Sequence, residues 1–128
     1  MIDIRINPWP DEDELGALMR AAWDNDAATG NVARLEGSLV HAGAYDRERL
    51  IGFVNVAWDG GIHAFVLDTS VHPHYRRRGI GAALVRAAAN AARERGAVWL
   101  HVDYEPQYAA FYESCGFTPS MAGLMRLG

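Results

Sequence analysis

The sequence predicts a single α/β domain, residues 1–128, built on a mixed β-sheet, and three observations lead to this prediction. Half of the 128 residues are apolar, which suits one domain with one core. The first half of the chain contains short apolar segments separated by tight turns, which is typical of strands. The second half contains a long alanine-rich segment between two apolar runs, as expected when a helix connects two parallel strands.

The first two predicted elements are a strand and a helix. Residues 2–6 alternate apolar and polar side chains, which predicts a strand. Residues 11–23 begin with four acidic residues, which suit the first turn of a helix, and continue with apolar residues at helical spacing. The side of this helix that we expect to be buried carries Leu15, Met19 and Trp23. Residues 24–37 are polar and mixed, and we expect a loop with at most one short helix.

Three further strands are predicted to form an antiparallel meander over residues 38–45, 50–58 and 62–71. Gly60 and Gly61 separate the second strand from the third, and glycine supplies the positive φ that tight hairpin turns need. Because the connections are short, neighbouring strands pair with each other.

The alanine-rich segment predicts a helix over residues 79–95 that stops at Gly96. The elements expected after it are a strand over residues 98–102, a short helix over residues 108–114, and final strand pairing supplied by Phe117 and residues 124–127. Because a long helix separates the strand at 98–102 from the third meander strand, we expect these two strands to be parallel.

Composition excludes several classes of function. The net charge is −4 and the pI about 5.7, which argues against a general binder of nucleic acid or membrane surfaces. No apolar run is long enough to span a membrane, and the N-terminal residues lack an apolar signal region. Cys115 is the only cysteine, so no intrachain disulfide forms, and we expect a cytoplasmic protein.

Two other reactive features are interpreted as structural. His72 and His74 flank Pro73, but no further ligands stand near them in the sequence, so no metal site is predicted. Cys115 has no evident base nearby and is expected to be a half-buried packing residue.

The strongest functional signal is the stretch from Arg76 to Gly81, between an apolar strand and a helix. Amides in the first turn of a helix lack intrahelical partners, and the helix dipole adds partial positive charge there. Glycines allow the backbone to approach phosphate oxygens, and arginines add full charges. The stretch therefore predicts a site for a phosphorylated ligand.

Two motifs in this order resemble the GNAT superfamily of acyl-CoA-dependent N-acyltransferases over essentially the whole chain. The first is the family pattern matched by Arg76, Gly79 and Gly81, and the second is an aromatic Tyr112 followed by Gly116 and Phe117. The resemblance implies a mixed, splayed central sheet of about six to seven strands flanked by three to four helices. It also implies that acetyl-CoA is the phosphorylated co-substrate.

The resemblance assigns the coenzyme site residue by residue. The loop amides from about Arg77 to Ala82 would hold the pyrophosphate, and the backbone near Ser70 and Val71 would pair with the pantetheine arm. A bulge near residues 67–69 would splay the third meander strand from the strand at 98–102. The expected coenzyme-binding residues are Ser70, Val71, Arg76, Arg77, Arg78, Gly79, Ile80, Gly81, Ala82 and Tyr112.

For catalysis, the resemblance implies that Tyr112 protonates the leaving thiolate, and the Val71 N–H would polarise the thioester carbonyl. His101 on the last core strand or Asp68 beside the bulge would act as the base, and a base acting through water is a third option. Many members carry Asn seven residues before the tyrosine, whereas this chain has Glu105 there. The usual contact of that Asn is therefore not carried over.

The sequence thus predicts an acetyl-CoA-dependent N-acetyltransferase in which a primary amine attacks the thioester directly in a ternary complex. One alternative is a catalytically silent acyl-CoA-binding sensor or regulatory subunit, and another is a structural protein with a vestigial loop. The acceptor is not determined, although the acidic balance favours a cationic amine, and Trp58 and Tyr104 are candidates for its border. A homodimer is one arrangement consistent with such a fold.

Overall fold

A computed structural model describes all 128 residues and shows a five-stranded sheet in the order β1-β2-β3-β4-β5. The first three pairings are antiparallel, and the β4–β5 pairing is parallel. The strands are β1 (Ile2–Ile6), β2 (Ser38–Asp46), β3 (Arg49–Trp58), β4 (His63–Val71) and β5 (Trp99–His101). The helices are α1 (Glu12–Trp23), α2 (Ile80–Glu94) and α3 (Ala109–Ser114), and short 3₁₀ turns cover Val32–Gly37, Pro73–Tyr75 and Pro106–Tyr108.

The predicted α/β class, the meander and the parallel β4–β5 pair are confirmed, but the number of strands is lower than predicted. Phe117 packs on the core without pairing in a strand, and residues 118–128 contain no regular structure. The apolar side chains predicted to pair in residues 124–127 are exposed, with Leu124 at 87% and Leu127 at 90%. Pro119 cannot donate to a ladder and Gly123 has little strand preference, so this segment is a poor strand.

The sheet is covered on both faces, which gives two apolar clusters. On one face α2 packs through residues such as Leu84 and Ala88 against Val54 and Val56 of β3. On the other face α1 packs against Phe53 of β3. Because side chains alternate along a strand, the central strand β3 is buried on both faces. No helix combines the length and the apolar composition that a membrane span requires.

A bulge in β4 opens the sheet next to β5. The register with β3 shifts between the pairs Phe53–Ser70 and Asn55–Leu67, and Asp68 between them has a φ of 59°. Aspartate adopts this left-handed conformation more readily than most residues. The parallel β4–β5 pairing ends at Phe65 and His101, so the two strands diverge beyond that point. The splayed sheet that the sequence predicted is therefore present.

Candidate active site

A cleft of about 660 Å³ lies where the ends of α1 and β4 meet the start of α2 and α3, and we call it the main cleft. Nine of the ten predicted coenzyme-binding residues line it, and Arg78 is the exception. The nine are Ser70, Val71, Arg76, Arg77, Gly79, Ile80, Gly81, Ala82 and Tyr112. The loop before α2 and the end of β4 are thus brought to one surface, together with the aromatic residues of α3.

The floor of the main cleft contains the N-terminus of α2. Gly79 caps the helix with a φ of 75°, and the first intrahelical amide is that of Ala83, which bonds to the Gly79 carbonyl. The amides of the three preceding residues have no helical partner, and no acidic side chain lies in this first turn. This arrangement attracts an anion through backbone donors and the helix dipole.

Gly81 is required for close packing at this point rather than for its backbone angle. A Cβ there would lie 3.3 Å from Cζ of Phe111 and 3.6 Å from Cγ2 of Val71. A Cβ at Gly81 would therefore press on the Phe111 ring of α3 and come into ordinary contact with Val71 at the end of β4.

The three neighbouring arginines have different partners. Arg76 Nη2 donates to the carbonyl oxygen of Ala22 at 2.7 Å, which ties the loop to the C-terminal end of α1. The Arg78 guanidinium lies over the Tyr75 ring, 5.2 Å from its centroid. None of the three forms an ion pair, and Arg77 lines the cleft without a carbonyl or aromatic partner of this kind, so its charge is the one most available to a ligand.

At the end of β4 the backbone N–H and C=O of Val71, which lines the main cleft, are not hydrogen-bonded to β3. The His72 N–H donates to the Ile51 carbonyl of β3 at 2.8 Å. In a strand the N–H and C=O of one residue point to the same side, and those of the next residue point to the opposite side. Since His72 faces β3, the Val71 N–H and C=O point away from β3, towards the gap between β4 and β5. The sequence-based expectation of a free backbone donor at Val71 is consistent with this geometry.

Tyr112 lies at the junction of the main cleft and a smaller cavity. Its side chain is buried, stacks on Tyr104 with a centroid distance of 5.0 Å, and meets Phe111 and Phe117 edge to face. Burial raises the pKa of the Tyr112 phenol above its ordinary value, the nearby Thr69 hydroxyl lowers that pKa in part, and the charge of Asp103 raises it slightly. The Thr69 Oγ1 atom is itself buried and has no hydrogen-bond partner within normal bonding geometry.

The smaller cavity, which we call the side cavity, has a volume of about 190 Å³ and lies in the opening between β4 and β5. It shares Trp23, Thr69, Tyr108 and Tyr112 with the main cleft. Its other lining residues are Val66, Leu67, Asp68, Val102, Asp103, Tyr104 and Glu105.

The two candidate bases lie in different environments. Asp68 lines the side cavity, where its carboxylate forms an ion pair with Arg34 from the 3₁₀ turn before β2. His101 lines neither cavity. It is exposed, stacks on Phe65, and its Nε2 lies 2.8 Å from Nδ1 of His63.

Sequence reasoning missed three residues of this region. Trp23 was expected in the core, but it is 51% exposed and its Nε1 donates to Ser70 Oγ at 2.8 Å. No motif or local sequence pattern marked Arg34 or Thr69 as a residue of the site. Of the two aromatic residues considered for the acceptor border, Tyr104 lines the side cavity, whereas Trp58 bonds to the Gly61 carbonyl at the β3–β4 turn.

The chain thus combines a splayed sheet, a helix start with unpaired amides and a buried tyrosine beside one cleft. The model of the acetyltransferase (GNAT) family matches residues 2–117, so the chain belongs to this family. An uncharacterized N-acetyltransferase of Prochlorococcus marinus is 30% identical over 105 residues, covering 79% of this chain. The chain spans 58% of the length of that relative.

Solved structures show the same fold. A probable acetyltransferase from meticillin-resistant Staphylococcus aureus matches with a TM-score of 0.80 at 20% identity, covering 100% of this chain and 99% of that one. An aminoglycoside N-acetyltransferase in complex with CoA matches with a TM-score of 0.78 at 18% identity, covering 100% and 95%. At these identities the likeness concerns the fold alone.

Proposed function

We propose that this chain is an acetyl-CoA-dependent N-acetyltransferase that moves the acetyl group to a primary amine within a ternary complex. The observation that carries the proposal is that both cavities are lined by Tyr112. The main cleft joins an anion-binding helix start to the open edge of β4, and the side cavity approaches the same tyrosine from the gap between β4 and β5. A thioester and an amine can therefore meet beside one buried phenol.

In this proposal the coenzyme occupies the main cleft. The free amides at the start of α2 bind the pyrophosphate, and Arg77 adds a charge that solvent and salt screen. The N–H and C=O of Val71, which point away from β3, pair with the pantetheine arm, or the N–H donates to the thioester oxygen as negative charge develops there. Arg76 has a positioning role, because its guanidinium holds the loop against the Ala22 carbonyl.

The amine nitrogen attacks the thioester carbon, forming a C–N bond as the C–S bond breaks. The proton released by the nitrogen goes to a base, and the departing thiolate takes a proton from Tyr112. Because burial raises the pKa of Tyr112, the phenol stays protonated at neutral pH and remains available as the acid. Transfer to a thiolate of reference pKa about 8.5 is then uphill, so stabilisation of the phenolate by the Thr69 hydroxyl favours the step.

The positions of the two candidate bases favour Asp68 over His101. Asp68 lines the side cavity with Tyr112, whereas His101 lines neither cavity and stacks on Phe65. The Arg34 ion pair occupies part of the Asp68 carboxylate, so we propose that the proton passes from the amine to Asp68 through a water molecule.

The test combines binding and turnover on the purified chain. Calorimetry measures the affinity for acetyl-CoA and for CoA, and a thiol assay measures the CoA released with a panel of primary amines. The proposal expects binding together with amine-dependent thiol release. Binding without release for any amine would favour the acyl-CoA sensor, and absence of any binding would contradict both.

A further inference from the structure

We infer that the acceptor is a slender diamine or polyamine, with its reacting amine beside Tyr112 and a second ammonium group held in the side cavity. This inference rests on the proposed acetyl transfer to an amine. It concerns the acceptor's distal group, which the transfer chemistry alone does not specify.

The lining of the side cavity is acidic. Its lining contains Asp68, Asp103 and Glu105 but no lysine, arginine or histidine. Arg34 pairs with Asp68, while Asp103 and Glu105 form no ion pair anywhere in the chain. Asp103 and Glu105 are exposed to solvent, and carboxylates that line a cavity without a counter-charge attract a cation.

The reacting nitrogen cannot serve as the cation that these carboxylates hold throughout the reaction. It must lose its proton before it attacks the thioester, so its positive charge is absent when the reaction occurs. A second ammonium group keeps its charge throughout and can remain beside Asp103 and Glu105. The unpaired carboxylates therefore match a substrate with two cationic centres better than a simple monoamine.

The rings and the apolar wall of the cavity fit the same ligand. Trp23, Tyr104, Tyr108 and Tyr112 line it, and aromatic faces attract alkylammonium groups. Val66, Leu67 and Val102 provide apolar surface against which a methylene chain packs. These aromatic and apolar contributions are independent of the acidic groups and favour the same class of ligand.

The volume of the side cavity limits the shape of the ligand. It measures about 190 Å³, against about 660 Å³ for the main cleft. An engineered protein cavity of about 150 Å³ holds one benzene molecule. The side cavity is partly open to solvent, and its volume suits the end of a linear chain better than a multi-ring polycation.

The experiment compares kcat/KM for three acceptors of matched length. They are 1,5-diaminopentane, 1-aminopentane, and 5-aminopentan-1-ol, whose distal group is polar but neutral. We expect the diamine to be favoured by about tenfold or more, with the preference falling as salt is added. Asp103→Asn with Glu105→Gln should reduce that preference to about twofold or less, as expected when the charges that select the diamine are removed.

Asp26→Asn is the matched control, because it removes an exposed carboxylate outside both cavities and should preserve the preference. Thermal unfolding and CoA affinity of each variant establish that it is folded. Equal kcat/KM for the diamine and the amino alcohol would overturn the inference while leaving acetyl transfer intact. An aminoglycoside acetylated as efficiently as the diamine would also overturn it.

A different experiment tests the side cavity if no amine is acetylated. In that case the proposed transfer fails, and the side cavity is tested by titrating 1,5-diaminopentane and 1-aminopentane into the CoA complex by calorimetry. Tighter binding of the diamine that disappears in the Asp103→Asn, Glu105→Gln variant would support the cation site. Equal binding, or none, would overturn it.

Discussion

Trp23 Nε1 donates a hydrogen bond of 2.8 Å to Ser70 Oγ, which joins the last turn of α1 to the end of β4. Ser70 is buried, and its hydroxyl donates in turn to the Asp68 carbonyl at 2.8 Å. The bond therefore links the helix to the β4 bulge across 47 residues of sequence. Trp23 thus acts as a wall of both cavities and as a brace for the strand that would bind the pantetheine arm.

Trp23→Phe removes this bond while keeping an aromatic ring. We expect a loss of about 1 kcal/mol in the free energy of unfolding, because Ser70 Oγ loses its donor. The KM for acetyl-CoA should also rise, since β4 loses its brace. Chemical denaturation and steady-state kinetics measure the two effects. Trp99→Phe is the matched control, because that indole is 61% exposed and its loss should change stability by less than about 0.5 kcal/mol.

Tyr112→Phe tests the proposed acid. The substitution keeps the ring that stacks on Tyr104 and removes only the hydroxyl. We expect kcat to fall by about 10²-fold, the scale of general acid catalysis, with acetyl-CoA affinity changed by less than about twofold. The pH profile is a second readout: because the pKa of Tyr112 is raised, its deprotonation should reduce wild-type activity only above the ordinary phenol range. A variant with wild-type kcat would remove Tyr112 from the mechanism.

Gly81→Glu tests whether the backbone at the start of α2 binds the coenzyme. The new side chain would press on Phe111 and place a negative charge among the free amides. We expect a loss of CoA affinity of about 10²-fold, against less than about tenfold for Arg77→Ala, whose charge is screened. Gly37→Glu is the control, because a Cβ there meets no atom within 4 Å. A larger effect of Arg77→Ala than of Gly81→Glu would contradict the backbone site.

The buried His41 should make the stability of the fold depend on pH. It is buried in β2 with its ring bonded to the Pro8 carbonyl, and burial lowers the pKa of His41 below its ordinary value. Above the unfolded-state pKa of about 6.5 both states are neutral; below it the unfolded state takes up a proton that the folded state does not. Stability should therefore fall below about pH 6.5, by up to about 1.4 kcal/mol per pH unit, until the lower folded-state pKa is reached.

Urea denaturation between pH 5 and 8 measures this slope, within a range of about three pH units where histidine titrates. His41→Phe should reduce the slope and leave the contribution of His72, whose pKa burial also lowers. His74→Asn, which alters an exposed histidine, should retain the slope of His41. A wild-type slope in His41→Phe would show that other groups cause the acid sensitivity.

Local pattern was sufficient to predict most of the fold. The alternation in β1, the short apolar segments of β2 to β4 and the apolar spacing of α2 depend on neighbouring residues, so the sequence contains their signal directly. The last predicted strand was wrong because the apolar residues at 124–127 form a pattern but lie beyond Pro119 and Gly123, in a segment that makes no ladder. Five strands result where six to seven were expected.

The candidate site was only partly accessible from sequence. The loop at the start of α2 is contiguous, so its residues could be named together. The Arg34–Asp68 pair joins residues 34 positions apart, and no local pattern indicates it. The face on which His101 lies depends on the register between β4 and β5, which the path of α2 sets and the sequence does not reveal.

The most direct test of the central proposal is the stoichiometry of acetyl transfer. Acetyl-CoA and 1,5-diaminopentane are incubated with the chain, and mass spectrometry of the amine is compared with the free thiol released. The account predicts one N-acetylated amine for each free CoA, with both products strongly reduced in Tyr112→Phe. Bound acetyl-CoA whose thioester stays intact with every amine tested would contradict it.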